Sequence, residues 1–247
     1  ERLDSGIELA QSLTMYRDKG DFSVASISAR AERVHTRPRR EISLGGRTAK
    51  RAMDILGALV FFTLLLPLFL AVALGVAFTS RGPIFYSQSR LGHRGRNFNF
   101  YKFRSMVVNA DRALALHLAQ NETARAQWDN FQKLDNEPRI TRFGRFIRRT
   151  SLDELPQFWN VLKGDMSLVG PRPCMPQQRE LYGQHWATYC AVKPGITGLW
   201  QVSGRNNLTY RERVALDAQY VLNWSIGADL KILLKTVAVV LGAHGAH

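Results

Sequence analysis

Residues 55–80 read ILGALVFFTLLLPLFLAVALGVAFTS, and none of these side chains carries a charge. A helix over this run would be about 39 Å long, which exceeds the roughly 30 Å hydrocarbon core of a bilayer. The run therefore predicts a membrane helix, for which a single straight span is the simplest interpretation.

Two features favour a helix that enters and leaves the membrane on the same side. Pro67 lies in the middle of the run, where it removes a backbone hydrogen bond and bends the helix. Basic residues flank both ends: Arg47, Lys50 and Arg51 before, and Arg81, Arg90, Arg94 and Arg96 after. Because positive charge stays cytoplasmic, we expect a re-entrant helix–break–helix hairpin; a straight span or a buried soluble helix is the alternative.

The composition predicts an anionic partner. Lys and Arg number 34 against 20 acidic residues, a formal net charge of +14. Such a charge suits nucleic acid, an anionic lipid surface or a phosphorylated substrate. The sequence shows no recognised nucleic-acid-binding fold, so we expect no nucleic acid partner. The two cysteines, Cys174 and Cys190, form no metal-binding motif.

The patterning predicts a mainly α fold with a small β component (α+β). Residues 1–46 are expected to be a basic, poorly ordered extension that is either solvated or lies on anionic lipid headgroups. Residues 47–81 would form the membrane helix, 82–242 a cytoplasmic catalytic domain with interfacial amphipathic helices, and 243–247 a tail. Strands are predicted at 84–86 and 98–103, and helices at 111–134, 210–222 and 229–241.

An adjacent acid pair, Asp153 and Glu154, lies in the segment RRTSLDELPQ at 148–157. Ser151 and Glu154 match a capping box, which alone indicates only a helix start. With Asp153 as the cap, Pro156 falls where its missing N–H costs nothing. Both registers place a carboxylate at a helix N-terminus.

The surroundings of the acid pair favour phosphate chemistry. Arg148 precedes it, Arg172 follows between Pro171 and Pro173, and Arg205 lies beyond a further loop. Guanidinium groups pair bidentately with phosphate, and carboxylates serve as metal ligands or nucleophiles. Taken singly, each arginine is more typical of a solvated or lipid-facing charge.

Several motifs occur together and in order. They are Lys50-Arg51-x-x-Asp54, Gly82-Pro83-Ile84-Phe85-Tyr86, Gln88-x-Arg90-x-Gly92, Lys102-Phe103-Arg104-Ser105-Met106, Ser151 to Gln157, Gly164 to Pro173, and Pro194 to Gly198. In these motifs the chain resembles the monotopic phosphoglycosyl transferases, bacterial sugar transferases that move a phosphosugar onto a polyprenyl phosphate. The likeness covers residues 50 to 241. It departs at Leu66-Pro67, where many members have Ser-Pro.

The resemblance implies roles for individual residues. Asp153 corresponds to the covalent nucleophile, and Glu154 to a partner carboxylate that binds Mg²⁺ with it or readies the acceptor phosphate. Arg148, Arg172 and Arg205, with Pro171 and Pro173 shaping the loop, would hold phosphate or nucleotide. Supporting residues would be Lys50, Arg51, Asp54, Gln88, Arg90, Lys102 and Arg104, with the membrane break at Pro67.

The resemblance also implies a reaction and a place. Hexose-1-phosphate would pass from a UDP-sugar, galactose or glucose, to undecaprenyl phosphate, releasing UMP as the first membrane step of exopolysaccharide synthesis. The enzyme would lie at the cytoplasmic face of the bacterial inner membrane, with both termini cytoplasmic, anionic lipids as partners and a homodimer allowed. Alternatives are another UDP-sugar such as an N-acetylhexosamine, a glycosyltransferase that releases UDP, or a non-catalytic basic membrane-tethered module.

Overall fold

The computed structural model describes residues 43–131, 134, 137–204 and 208–241. These residues are mainly helical and include two small two-stranded sheets, which confirms the predicted fold class. Nearly all of the predicted N-terminal extension, the tail at 243–247 and Arg205 lie outside the described residues.

The elements follow one another along the chain. They are α1 (Leu44–Thr79), β1 (Phe85–Leu91), β2 (Asn97–Phe103), α2 (Ala110–Gln120), α3 (Glu122–Phe131), α4 (Arg142–Arg149), α5 (Gln157–Lys163), β3 (Ser167–Val169), α6 (Trp186–Tyr189), β4 (Gly195–Thr197), α7 (Tyr210–Leu222) and α8 (Ile226–Leu241). Short 3-10 turns lie at His93–Gly95, Leu152–Glu154, Pro176–His185 and Trp200–Val202.

Most predicted strands and helices are confirmed, and the helix predicted over 111–134 is corrected. Strands β1 and β2 form an antiparallel hairpin in which Phe85 faces Phe103, and β3 pairs with β4 in parallel. The single helix predicted over 111–134 is wrong, because the chain becomes extended at Asn121. The Asn121 side chain accepts a hydrogen bond from the backbone N–H of Ala124 and so starts a second helix, α3.

Helix α1 is the apolar element that the sequence predicts. It begins at a Ser43 N-cap, which accepts a hydrogen bond from the backbone N–H of Gly46. It continues through Pro67, so the helix break predicted at Pro67 is not observed. By length and composition it is able to cross a membrane. Its exposed apolar side chains are Leu56, Leu59, Val60, Leu64, Leu66, Leu68, Leu70, Leu74 and Phe78. So large an apolar face requires a non-aqueous neighbour.

The inward face of α1 packs against the remainder of the chain at both ends. Near its N-terminal end, Ala58 is fully buried in a core shared with α5, β3, α7 and α8. Near its C-terminal end, Val72 and Val76 pack against Phe103 and Ile147. Between these ends, the ring of Phe61 stacks on that of Phe158, with centroids 3.5 Å apart.

Charged groups fasten the beginning of α1. Lys50 donates to the Val169 carbonyl and lies 2.8 Å from the buried Asp229 carboxylate. That carboxylate also accepts hydrogen bonds from Tyr220 and Trp224. The network therefore joins α1 to β3, α7 and α8.

We expect Asp229→Ala to lower the free energy of unfolding by about 3–5 kcal/mol, because Lys50 would lose its buried partner. Glu180→Ala is the matched control, since it removes a carboxylate at an exposed position, where a charge contributes about 1 kcal/mol or less. Denaturation of the detergent-solubilised variants measures both. Equal losses in the two variants would show that the network does not hold α1.

Candidate active site

The acid pair lies in the 3-10 turn Leu152–Glu154, between α4 and α5. Ser151 adopts the left-handed conformation (φ 57°), and its hydroxyl caps no backbone N–H. Helix α5 begins at Gln157, after an N-cap at Pro156. The register with Ser151 as the cap is right in position, because Ser151 directly precedes the 3-10 turn, but the predicted capping box is not formed. The register with Asp153 as the cap is wrong, because Asp153 lies inside that turn.

Lys102 on β2 joins the two carboxylates. Its Nζ lies 2.7 Å from Glu154 Oε1 and 3.4 Å from Asp153 Oδ2. Alternation along the strand sends the neighbouring Phe103 into the core under α1. The hairpin thus places an ammonium group at the acid pair and an aromatic ring beneath the apolar helix.

Two arginines that the sequence singles out lie near the same carboxylates. Arg172 Nη2 is 3.7 Å from Glu154 Oε1, and the positive charge of Arg148, at the end of α4, acts on Asp153. The loop that carries Arg172 is fixed by its prolines. Pro171 O accepts a hydrogen bond from the backbone N–H of Gly195, and Pro173 O accepts one from Arg90.

The two carboxylates differ in pKa. Burial raises the pKa of Asp153; Lys102 opposes this and Glu154 adds to it. Burial also acts to raise the pKa of Glu154, but the charges of Lys102 and Arg172 outweigh it and lower that pKa to about 2. Glu154 is therefore firmly ionised, and Asp153 is the more basic carboxylate of the two.

The remaining predicted residues support the site from a distance. Arg51 donates to the carbonyls of Val161 and Leu162 at the end of α5, and Asp54 accepts from Leu168 N. These contacts, like those of Lys50, hold α1 in place.

Further residues brace the edges of the site. Arg90 bonds to Gln88 as well as to the Arg172 loop. Arg104 donates to the carbonyl and hydroxyl of Ser80, just after α1. Arg205 lies outside the described residues, so its predicted role stays a prediction.

The sequence analysis missed a second set of residues. Asp217 is buried in the middle of α7, three residues after Val214 and three before Tyr220, both also buried. An acidic residue at that spacing on an apolar helix face is a signal that could have revealed it. It lines a cavity together with Arg172 and Trp200.

The metal prediction depends on the acid pair alone. In the described part of the chain, no three His, Cys, Asp or Glu side chains come together as metal ligands. Two carboxylates nevertheless suit Mg²⁺, which is commonly bound by one or two carboxylates together with substrate phosphates.

Comparison with known proteins shows the family. Residues 45–243 match the family model of the bacterial sugar transferases. The chain belongs to the bacterial sugar transferase family. The resemblance deduced from the sequence motifs is thereby confirmed.

Individual relatives cover the chain to different extents. Over 201 residues it is 51% identical to a UDP-galactose-lipid carrier transferase of Erwinia amylovora, covering 81% of this chain and 42% of that protein. Over 202 residues it is 45% identical to the exopolysaccharide production protein ExoY of Rhizobium meliloti, covering 82% and 89%. Over 201 residues it is 49% identical to an undecaprenyl-phosphate galactose phosphotransferase of Salmonella typhimurium, covering 81% and 42%. The chain thus spans less than half the length of the first and third relatives.

We expect the free energy of unfolding to fall less steeply with decreasing pH in Glu154→Gln than in the wild type. The folded pKa of Glu154 is lowered from 4.5 to about 2, so its ionisation stabilises the fold above pH 4.5, and this contribution is lost as the pH falls through 2. Denaturation in micelles between these pH values should show a shallower decline for Glu154→Gln than for the wild type. Glu180→Gln, at an exposed position, serves as the control; a decline equally steep in Glu154→Gln would contradict the assigned pKa.

Proposed function

We propose that the chain is a phosphoglycosyl transferase that moves hexose-1-phosphate from a UDP-sugar to undecaprenyl phosphate. The observation that carries this proposal is the acid pair, in which Asp153 is buried, held by Lys102 and flanked by Arg148 and Arg172 next to an apolar helix. The names of the relatives, which specify galactose and undecaprenyl phosphate, support this substrate pair, and one relative is named for exopolysaccharide production.

The raised pKa of Asp153 supports its role as nucleophile, because a more basic carboxylate attacks more readily once ionised. An Asp153 oxygen attacks the sugar-linked phosphorus of the UDP-sugar. The bond from that phosphorus to the bridging oxygen breaks, and UMP leaves with the electron pair. An oxygen of undecaprenyl phosphate then attacks the same phosphorus and releases the Asp153 carboxylate.

The cations suit both steps of this reaction. The substrate diphosphate and the two carboxylates are all negatively charged, so they would repel each other without nearby positive groups. Lys102 lies between the carboxylates, and Arg172 presents a planar guanidinium beside Glu154. Fixed positive groups of this kind stabilise charge that develops as the UMP bond breaks.

We also propose that the acid pair binds Mg²⁺. Asp153 and Glu154 would hold it together with substrate phosphate oxygens, and its charge would offset that of the diphosphate. The low pKa of Glu154 suits this role, because a metal ligand must be deprotonated.

The contacts of α1 support a re-entrant arrangement rather than a span. Ala58 and Val76 lie toward opposite ends of the helix, and both are buried against the same polar domain. A domain this rich in charge stays in water, so a helix docked to it at both ends would have both ends on the cytoplasmic side. The acid pair would then face a lipid phosphate at the membrane surface.

Helix α4 supports an anionic lipid partner. The ring of Phe143 lies against Gly75 of α1, while Arg142, Arg145 and Arg149 are exposed beside an exposed Phe146. Arginines flanking an apolar ring next to a membrane helix are typical of contact with anionic headgroups. The homodimer stays a prediction.

We expect Asp153→Asn to reduce UMP release by about 1000-fold or more, because it removes the attacking carboxylate. Glu154→Gln should cost on the order of 100-fold, and Asp165→Asn at the surface should change little. The assay contains Mg²⁺, UDP-galactose and undecaprenyl phosphate, and chromatography identifies the nucleotide released. Full activity in Asp153→Asn would contradict the assignment of Asp153 as the nucleophile. Release of UDP instead of UMP would indicate that the sugar is transferred without its phosphate.

We expect cysteines placed before and after the apolar run 55–80 to react with a thiol reagent from the same face of a sealed vesicle. Gly45→Cys occupies an exposed position in the first turn of α1, before its apolar run, and Ser89→Cys occupies an exposed position after the helix. A Cys190→Ser background removes the partly exposed native thiol. Inside-out vesicles should label both positions with a membrane-impermeant maleimide, and right-side-out vesicles should label neither. Labelling of the two from opposite faces would establish a span.

A further inference from the structure

Arg172 connects the acid pair to a cavity of about 180 Å³. Its guanidinium lies 3.7 Å from Glu154 and also lines the cavity. The other walls come from β1, the loop after Arg172, the turn Trp200–Val202 and α7. Pockets for drug-sized ligands measure roughly 300–1,000 Å³, so this cavity suits a moiety the size of one or two small rings.

The cavity is strongly positive. Arg90, Arg172 and Arg213 all line it, and Asp217 is the one carboxylate among its lining residues. The guanidinium carbons of Arg172 and Arg213 lie 5.8 and 4.8 Å from the centre of the Trp200 ring. The occupant is therefore expected to carry negative charge.

Two buried side chains in the cavity wall each have one polar atom without a hydrogen-bond partner. Asp217 is 3% exposed and Trp200 is 6% exposed. Within the described residues, Asp217 Oδ1 and Trp200 Nε1 make no hydrogen bond of good geometry. Asp217 Oδ2 accepts one from Tyr182, and the backbone N–H of Arg172 also acts on the Asp217 carboxylate. Buried polar atoms without partners are costly. A ligand with a hydrogen-bond donor for Asp217 Oδ1 and an acceptor for Trp200 Nε1 would satisfy both atoms.

Uracil presents such groups. It carries an N–H between two carbonyls, so it can donate to Asp217 and accept from Trp200. The indole N–H of Trp200 is a donor only.

We infer that this cavity binds the uridine monophosphate half of the donor, with Arg172 reaching the diphosphate. This inference rests on the proposed function, because it assumes a nucleoside diphosphate sugar as substrate. The hexose-1-phosphate half is the other candidate occupant, and it also carries a phosphate. Three arginines are better placed beside UMP, since UMP takes up negative charge as it leaves.

The test uses the full chain in detergent micelles and two ligands, UMP and galactose-1-phosphate, measured separately by calorimetric titration. Trp200→Phe keeps an aromatic ring and removes the N–H. We expect it to raise the Kd for UMP about 5- to 10-fold, as for loss of one buried hydrogen bond, and to leave the Kd for galactose-1-phosphate unchanged. Asp217→Asn should raise the Kd for UMP to a similar extent.

Matched substitutions outside the cavity serve as controls. Trp159→Phe changes an exposed tryptophan, and Asp165→Asn changes a carboxylate paired with Lys163 at the surface. Both should bind UMP as the wild type does. Near-ultraviolet circular dichroism and thermal unfolding show whether each variant is folded.

Trp200→Phe decides the inference. An unchanged Kd for UMP overturns it, as does a change confined to galactose-1-phosphate, which would place the hexose in the cavity. Equal losses for both ligands also overturn it, because they would assign the effect to the shared phosphate. The proposed function is tested separately by UMP release from the wild type: turnover with unaltered UMP binding in Trp200→Phe would contradict the cavity assignment alone.

Discussion

Lys50, Arg51 and Asp54 fix the apolar helix α1 to the domain that carries the acid pair. Lys50 pairs with buried Asp229, Arg51 binds the last carbonyls of α5, and Asp54 accepts from Leu168 N. Arg104 holds the opposite end through Ser80. Because α5 directly follows the acid pair, this attachment fixes the position of the two carboxylates relative to the apolar helix, and so relative to the membrane that the helix requires.

The acid pair itself depends on a balance between burial and positive charge. Asp153 is the more buried carboxylate, and its pKa is raised. Glu154 interacts with both Lys102 and Arg172, and its pKa is lowered. Two adjacent acids thereby acquire different properties, one more basic and one firmly ionised. Such a division suits a covalent nucleophile beside a ligand for metal or phosphate.

The sequence predicted best those helices and strands in which a single residue pattern continues from the first residue to the last. The bounds predicted for α7, 210–222, are those observed, and the β1–β2 hairpin formed as predicted. Helix α1 covers the predicted apolar run but is not broken at Pro67. The predicted capping box is not formed, because Ser151 adopts a left-handed conformation in which its hydroxyl caps no backbone N–H. The partnerships of Lys50 with Asp229 and of Arg172 with Glu154 join residues far apart in sequence, which spacing alone cannot pair.

The central claim is that Asp153 carries the phosphosugar, and the most direct test is to catch it there. The protein is mixed with UDP-galactose and Mg²⁺ without undecaprenyl phosphate, quenched in acid and digested for mass spectrometry. The account predicts a burst of UMP equal to the enzyme present, with hexose phosphate attached to Asp153. A burst with unmodified Asp153, or with the label on Glu154, would contradict it.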